Sequence, residues 1–184
     1  MAKTREIWLA LGANSASTHG SPSMTFYHTL EALERHDCVI FSRSSVISSP
    51  PMGPVRQSRY HNAVVGLRGA MAPAALLRLL KRLERAAGRR LGVHWGPRPL
   101  DLDILDFGGR IIGHPASGTR LGTLILPHPG IANRGFVLVP LAEAAPHWRH
   151  PILGQSAAEM LARQPGLARG IVRLPTPEQQ AVTR

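Results

Sequence analysis

Hydrophobic and polar residues along the chain form two patterns: short apolar runs, and longer stretches with apolar residues three or four positions apart. Short apolar runs predict strands, and they cover residues 7–11, 39–48, 61–67 and 100–107. The helical spacing predicts one helix that begins at Ser21-Pro22 and another over residues 72–87. The order strand, helix, strand, strand, helix, strand is typical of a ferredoxin-like core. We therefore expect an α+β fold with a ferredoxin-like βαββαβ core and C-terminal additions.

The C-terminal part of the chain has a weaker pattern. A short helix is predicted around residues 157–162, and the proline-containing, polar end predicts a loose tail over residues 165–184. There are no internal repeats. A length of 184 residues is enough for a sizeable core, and it favours one domain spanning residues 1–184.

The composition describes a soluble globular protein, with 43% hydrophobic residues. Cys38 is the single cysteine, so no internal disulfide can form and a reducing compartment is expected. The first apolar run, residues 7–11, is too short for a signal-peptide core or a membrane span. We therefore expect a cytoplasmic protein without a membrane partner.

The net charge of +11 is strongly basic, and all but two of the 22 basic residues are arginine. Such a charge suits nucleic acid, but it equally suits polyanionic small substrates. Base composition that favours arginine codons would produce it without any functional meaning. The charge alone does not choose among these interpretations.

Two acidic residues in the fourth predicted strand are candidates for metal binding. Side chains alternate between the faces of a strand, so Asp101 and Asp103 point the same way while Leu100, Leu102 and Ile104 point into a core. Magnesium prefers one or two carboxylates together with substrate phosphates. The pair therefore suits a site in which a nucleotide completes the coordination. An Asp-x-Asp pair alone is equally typical of solvated residues at a strand end.

Arg98 lies just before this strand, between Pro97 and Pro99. Proline restricts its own backbone and that of the preceding residue, so the guanidinium of Arg98 has a stiff attachment. A fixed cation beside two metal-binding carboxylates is typical of phosphoryl transfer, which depends on positioning and charge neutralisation.

The complete run closely resembles a signature of the hydroxymethyldihydropterin pyrophosphokinase family: His94-x-Gly96-Pro97-Arg98-x-x-Asp101-Leu102-Asp103-Ile104-Leu105. A second resemblance is Pro127-His128-Pro129 followed by Arg134-x-Phe136-Val137-Leu138-x-Pro140-Leu141. A third joins Pro50-Pro51-Met52-Gly53-Pro54 and Gln57 to Tyr60-x-Asn62-Ala63-Val64. The resemblance is strongest over residues 7–150.

The resemblance implies transfer of a diphosphoryl group from ATP to 6-hydroxymethyl-7,8-dihydropterin with release of AMP, in tetrahydrofolate biosynthesis. It implies two magnesium ions held by Asp101 and Asp103, and catalytic cations at Arg89 and Arg98. The nucleotide contacts that it implies are Glu84, Arg89, Trp95, Arg98, Ile104, His128 and Arg134. The pterin contacts that it implies are Ser49, Pro50, Met52, Tyr60, Asn62 and Phe136. No P-loop motif is present in the sequence.

Three alternatives stay open beside this interpretation: a diphosphokinase for a related pterin, a ferredoxin-like RNA-binding module, and a metal-dependent nuclease. The chain departs from the family pattern at Arg56, Arg59, Thr123 and Ile125, and the loop holding Arg90 is shorter than in relatives. Asp106 falls on the apolar side of the strand pattern without an evident reason. We expect a monomer that binds ATP and a reduced pterin and no nucleic acid.

Overall fold

The structure is a computed structural model, and it describes residues 3–53, 57–89, 97–113 and 124–175. The strands are β1 (Arg5–Ala13), β2 (Val39–Arg43), β3 (Ile47–Ser49), β4 (Tyr60–Gly69), β5 (Asp101–Phe107) and β6 (Val172–Arg173). The helices are α1 (Pro22–Glu34), α2 (Pro73–Ala86), α3 (Gly135–Ala144) and α4 (Ala157–Arg163). Short 3₁₀ turns span Ile131–Asn133 and Pro165–Ala168.

All the strands join one antiparallel sheet in the order β5-β1-β4-β3-β6, with β2 also paired to β4. Helices α1 and α2 cover one face, where a core forms around Leu9, Leu11, Leu33, Leu76 and Leu102. Helices α3 and α4 cover part of the opposite face through Val137, Leu138, Leu141 and Met160. The expected α+β fold with a ferredoxin-like core and C-terminal additions is confirmed.

The single strand predicted over residues 39–48 is wrong, because the chain forms two strands there. Both pair with β4, but the chain leaves the sheet ladder at Ser44. The Ser44 side chain accepts a hydrogen bond from the amide of Val64 (2.9 Å), and the Ser44 amide donates to the Val64 carbonyl (2.9 Å). A serine hydroxyl can replace a backbone acceptor in this way, so the β-rich composition of the segment does not reveal the break.

A β-bulge in β5 explains Asp106. Ile104 pairs with Leu9 and Asp106 pairs with Trp8, so Leu105 is an extra residue without a partner on β1. An extra residue reverses the alternation beyond it. Asp106 therefore shares a face with Trp8 rather than with Ile104, and its carboxylate accepts a hydrogen bond from the Trp148 indole (3.2 Å).

All three predicted helices are present, as α1, α2 and α4. Helix α1 begins with the expected cap, Ser21 followed by Pro22. The pattern did not assign a helix to residues 135–144, and this segment forms α3. Its residues are apolar all round because it is buried between the sheet and α4, and a helix of that kind lacks the one-sided pattern that identifies a surface helix.

The structure also differs from the expected loose tail. Residues 165–168 form a 3₁₀ turn, and β6 pairs with β3, matching Ile47 to Arg173 and Ser48 to Val172. A two-residue strand is too short to give a periodic signal. The remainder of the predicted tail, 176–184, lies outside the described residues.

Candidate functional site

The candidate site lies on the sheet face that α3 covers only in part. Gly12 pairs with Asp101 and Ala10 pairs with Asp103, and directly paired residues share a face. Because glycine and alanine stand opposite the two acids, no large side chain fills the space above them. A cavity of about 260 Å³ opens there, lined among others by Gly12, Ser49, Tyr60, Asn62, Arg98, Asp101, Asp103, Arg134 and Phe136.

Asp101 is held between two arginines. Its Oδ1 accepts a hydrogen bond from Arg89 Nη1, and its Oδ2 accepts one from Arg98 Nη1. Burial alone would raise the pKa of Asp101, but the charges and hydrogen bonds of Arg98 and Arg89 outweigh it and the pKa is lowered. The carboxylate is therefore kept ionised, as a metal ligand must be.

Asp103 has looser neighbours. Its Oδ2 lies 3.8 Å from His128 Nε2 and 3.9 Å from Arg134 Nη1, and both distances exceed a hydrogen bond. The Asp103 carboxylate thus keeps lone pairs directed at the cleft, with two basic side chains around it.

His128 is positioned by the bulge in β5. Its amide donates to the carbonyl of Leu105 (2.9 Å), and its Nδ1 accepts a hydrogen bond from the amide of Gly130 (3.0 Å). With Nδ1 as an acceptor, the neutral ring carries its proton on Nε2, the nitrogen that faces Asp103. Burial is the main cause that lowers the pKa of His128, and it outweighs the opposing effect of Asp103. The ring is therefore a neutral donor near Asp103.

Asn14 fixes the approach of Arg98 to the cleft, and the sequence analysis missed this residue. The amide of Arg98 donates to Asn14 Oδ1 (2.7 Å), and the amide of Asn14 donates to the Arg98 carbonyl (2.9 Å). Asn14 Nδ2 donates to Gln57 Oε1 (2.8 Å), which also accepts from the Tyr60 hydroxyl (3.2 Å). An Asn in the turn directly after β1, at the end of the strand where the acids lie, was the available signal.

The predicted pterin contacts line the same cavity as Asp101 and Asp103. Asn62 is buried and donates from Nδ2 to Ser49 Oγ (2.9 Å). Phe136 lies at the start of α3, with the Arg134 guanidinium 5.9 Å from its ring centroid. Ser49, Pro50, Met52, Tyr60, Asn62 and Phe136 all line the cavity, so the structure brings this predicted set together.

Two predicted nucleotide contacts have other surroundings. Glu84 is only 2% exposed, and its Oε1 lies within 2.9 Å of Lys81 Nζ, Arg89 Nη1 and the amide of Leu102. Its carboxylate therefore joins α2 to β5 and orients Arg89. The side chain of Ile104 lies in the core on the sheet face opposite the cavity. This side chain therefore points away from the predicted nucleotide site. Trp95 and Arg90 lie outside the described residues.

Within the described ranges, no three His, Cys, Asp or Glu side chains cluster closely enough to hold a metal by themselves. A metal ion held by Asp101 and Asp103 would therefore need further oxygen ligands from elsewhere. In the same ranges, every helix is too short or too polar to span a membrane.

The fold and a cleft that sets two strand carboxylates among Arg89, Arg98, His128 and Arg134 are typical of an enzyme that acts on phosphates. Comparison with known proteins then defines the family. Residues 8–146 match the family described as 7,8-dihydro-6-hydroxymethylpterin-pyrophosphokinase (HPPK). The chain belongs to this family.

Individual relatives agree. A 2-amino-4-hydroxy-6-hydroxymethyldihydropteridine pyrophosphokinase of Pseudomonas aeruginosa is 38% identical over 172 residues, which cover 93% of this chain and 98% of the relative. The protein of the same name from Haemophilus influenzae is 36% identical, over 75% of this chain and 80% of its own. A mitochondrial folate synthesis bifunctional protein of Arabidopsis thaliana is 35% identical, and the match spans 23% of that longer protein.

Solved structures support the fold. The crystal structure of wild-type Plasmodium falciparum HPPK-DHPS with pteroate superposes with a TM-score of 0.70, covering 95% of this chain and 46% of that chain. At 14% sequence identity, this similarity concerns the fold alone.

Proposed function

We propose that this protein transfers the diphosphoryl group of ATP to the hydroxymethyl group of 6-hydroxymethyl-7,8-dihydropterin, releasing AMP, in folate biosynthesis. Membership of the pyrophosphokinase family supports the reaction type. The observation that carries the proposal for this chain is the cavity itself. Its lining includes Asp101 and Asp103 together with Asn62 and Phe136, so one cleft can take both a phosphate and a flat polar ring.

Two magnesium ions are part of the proposal, with Asp101 and Asp103 as their protein ligands. The donor set fits a hard cation, because both groups are carboxylates on one face of β5, about 7 Å apart at Cα. The Asp103 oxygens are beyond hydrogen-bond distance of their basic neighbours, so they are available as ligands. When bound, the ions would neutralise charge on the triphosphate.

Three arginines place positive charge beside Asp101 and Asp103. Arg89 and Arg98 form ion pairs with Asp101. A rotation of either side chain would bring its guanidinium to a phosphate bound above Asp101. Arg134 approaches Asp103 from α3's first turn. Guanidinium groups bind phosphate oxygens through paired N–H donors, and such charge stabilises the transition state of phosphoryl transfer.

The side chains of Asn62 and Phe136 would hold and orient the pterin. The Asn62 amide offers a donor and an acceptor to the edge of a pterin ring, and its orientation is set by Ser49 Oγ. Phe136 offers an aromatic face for stacking. Holding the hydroxymethyl group in line with the β-phosphorus can lower the activation barrier by roughly several kcal/mol, because the reacting atoms are already oriented.

The test is AMP formation from ATP in the presence of Mg²⁺, with and without the dihydropterin. We expect AMP only when both the pterin and Mg²⁺ are present, and loss of the signal with EDTA. AMP release that does not depend on the pterin would contradict the proposal. A much higher rate with another reduced pterin would favour the related-substrate alternative.

RNA provides the control for the two nucleic-acid alternatives. Salt-sensitive binding to a single-stranded RNA, or its cleavage in Mg²⁺, would support them; we expect neither. We also infer a cytoplasmic monomer, for which size-exclusion chromatography gives the test of oligomeric state.

A further inference from the structure

We propose that residues 165–174, which lie beyond the matched family region, form a brace for the proposed pterin site, and that Arg59 locks this brace in place. The brace comprises the 3₁₀ turn Pro165–Ala168 and strand β6. The inference rests on the proposed function, and it concerns a positioning role rather than contact with substrate.

The brace supports one wall of the cavity through β3. Strand β6 pairs with β3, and the amide of Leu174 donates to the Val46 carbonyl (2.9 Å). Strand β3 has three residues and would otherwise be the sheet edge. It ends at Ser49, whose hydroxyl orients Asn62. Pairing on both sides therefore restricts the strand that presents Ser49 to the cavity.

The brace also contacts the residue after β3. A Cβ added to Gly170 would lie 3.6 Å from Pro50 Cγ, so Gly170 lies next to Pro50. Gly170 has φ +73°, a conformation that disfavours other residues. Pro50, a cavity-lining residue, therefore neighbours the C-terminal segment.

The second wall is supported at the start of α3. A Cβ on Gly135 would lie 1.8 Å from the carbonyl oxygen of Leu167, so only glycine allows the turn to pack this closely. Leu167 and Phe136 both pack against the apolar cluster that includes Val137 and Leu138. The brace thus touches the chain beside Ser49 and beside Phe136, the two sides of the proposed pterin site.

Arg59 joins the brace to the sheet. Its Nε donates to Ser48 Oγ (2.8 Å), and its Nη2 donates to the carbonyls of Ser48 (3.1 Å) and Gly170 (2.5 Å). A planar guanidinium can make these contacts together, whereas the compact ammonium of lysine has a different geometry. The arginine that departs from the family pattern therefore has a definite structural role in this chain.

The brace contacts Ser48, Pro50 and Gly135, which neighbour the proposed pterin contacts Ser49 and Phe136, and Arg173 pairs with Glu143 on α3. In the described part of the chain, the hydrogen bonds and ion pairs of Asp101, Asp103, Arg89 and Arg98 involve no residue of 165–174. Loosening the brace should therefore change pterin binding more than ATP binding.

The test compares Arg59→Ala with the parent chain, using steady-state kinetics with each substrate varied in turn. We expect KM for the pterin to rise about tenfold, the scale of one lost charge-assisted hydrogen bond, while KM for ATP changes less than about twofold. In Arg59→Lys, KM for the pterin should lie between the values of the parent chain and of Arg59→Ala. Arg169→Ala is the matched control, because it removes the same charge from an exposed position in the brace and should leave both constants unchanged.

Hydrogen exchange of the Leu174 amide gives a readout that does not depend on activity. We expect faster exchange in Arg59→Ala and parental exchange in Arg169→Ala. Equal changes in both KM values, an unchanged pterin KM, or unchanged exchange would each overturn the brace. If the parent chain formed no pterin-dependent AMP, the proposed function would fail, and the exchange experiment would still decide whether Arg59 locks the segment.

Discussion

Asn14 and Arg98 are joined by two reciprocal hydrogen bonds, from the Arg98 amide to Asn14 Oδ1 (2.7 Å) and from the Asn14 amide to the Arg98 carbonyl (2.9 Å). They connect the turn after β1 to the segment that enters β5. The stiff backbone of Arg98 therefore has an anchor as well as two flanking prolines, and the direction of its guanidinium depends on a residue 84 positions away.

Replacing Asn14 should weaken catalysis without unfolding the protein. Asn14→Ala removes the acceptor for the Arg98 amide, and we expect kcat/KM to fall about tenfold, as for the loss of one partly buried hydrogen bond. Asn14→Asp keeps an acceptor at the same place and should retain more activity than Asn14→Ala at equal folded fraction. Parental kcat/KM in the alanine variant would show that the prolines alone position Arg98.

Asp101 and Asp103 should each be essential for turnover. We expect Asp101→Ala and Asp103→Ala to lower pterin-dependent AMP formation by at least about 100-fold, because each removes a charged group from the reacting end of the cleft. Circular dichroism should show that both variants keep the parental fold, since both carboxylates lie at the cleft rather than in the core. Near-parental rates in both variants would refute the assignment. Glu34→Ala, on the exposed face of α1, is the control.

Glu84 should matter for stability as well as for activity. Its buried carboxylate accepts hydrogen bonds from Lys81 and the amide of Leu102 and forms an ion pair with Arg89. Glu84→Ala therefore leaves the buried Leu102 amide and Lys81 without this acceptor, and leaves Arg89 with Asp101 alone. We expect the free energy of unfolding to fall by about 2–4 kcal/mol. Urea titration measures the change. Glu84→Gln keeps an oxygen for the Leu102 amide and should lose about half as much; an equal loss in both variants would mean that the charge alone matters.

Asp106 gives a prediction about pH. Burial is the main cause that raises the pKa of Asp106, and it outweighs the hydrogen bonds from Trp148 and Gly109. The folded protein thus holds this proton more tightly than the unfolded chain, so the contribution of Asp106 to stability falls as pH rises from the unfolded pKa, about 4, through the raised folded value. Asp106→Asn keeps an acceptor for the Trp148 indole and removes the titration.

The free energy of unfolding of Asp106→Asn, relative to the parent, should therefore increase with pH over that range and then level off. Urea unfolding at a series of pH values tests this. Asp106→Ala is the comparison, because it also removes the titration but leaves the Trp148 and Gly109 donors unpaired. It should be about 1–3 kcal/mol less stable than Asp106→Asn at every pH. A difference between Asp106→Asn and the parent that does not vary with pH would contradict the raised pKa.

Local sequence patterns predicted a segment correctly where one of its faces packs on the core and the other faces outward. The amphipathic stretch of α2 and the alternation around Asp101 and Asp103 were interpreted correctly, because each has one face on the core and one facing outward. The interpretation failed where pairing partners decide. The break at Ser44 and the bulge at Leu105 depend on contacts with β4 and β1, which no local pattern contains.

The sequence by itself determined the order of the main elements, the pair of acids on one face of a strand, and the family to which they belong, because alternation and motif spacing are properties of neighbouring residues. Tertiary structure alone decided how the cavity is walled: Asn14 against Arg98, Leu105 beneath His128, and the C-terminal segment behind Ser49 and Phe136. These contacts join residues far apart in the chain, and their geometry exists only once the sheet has set its register.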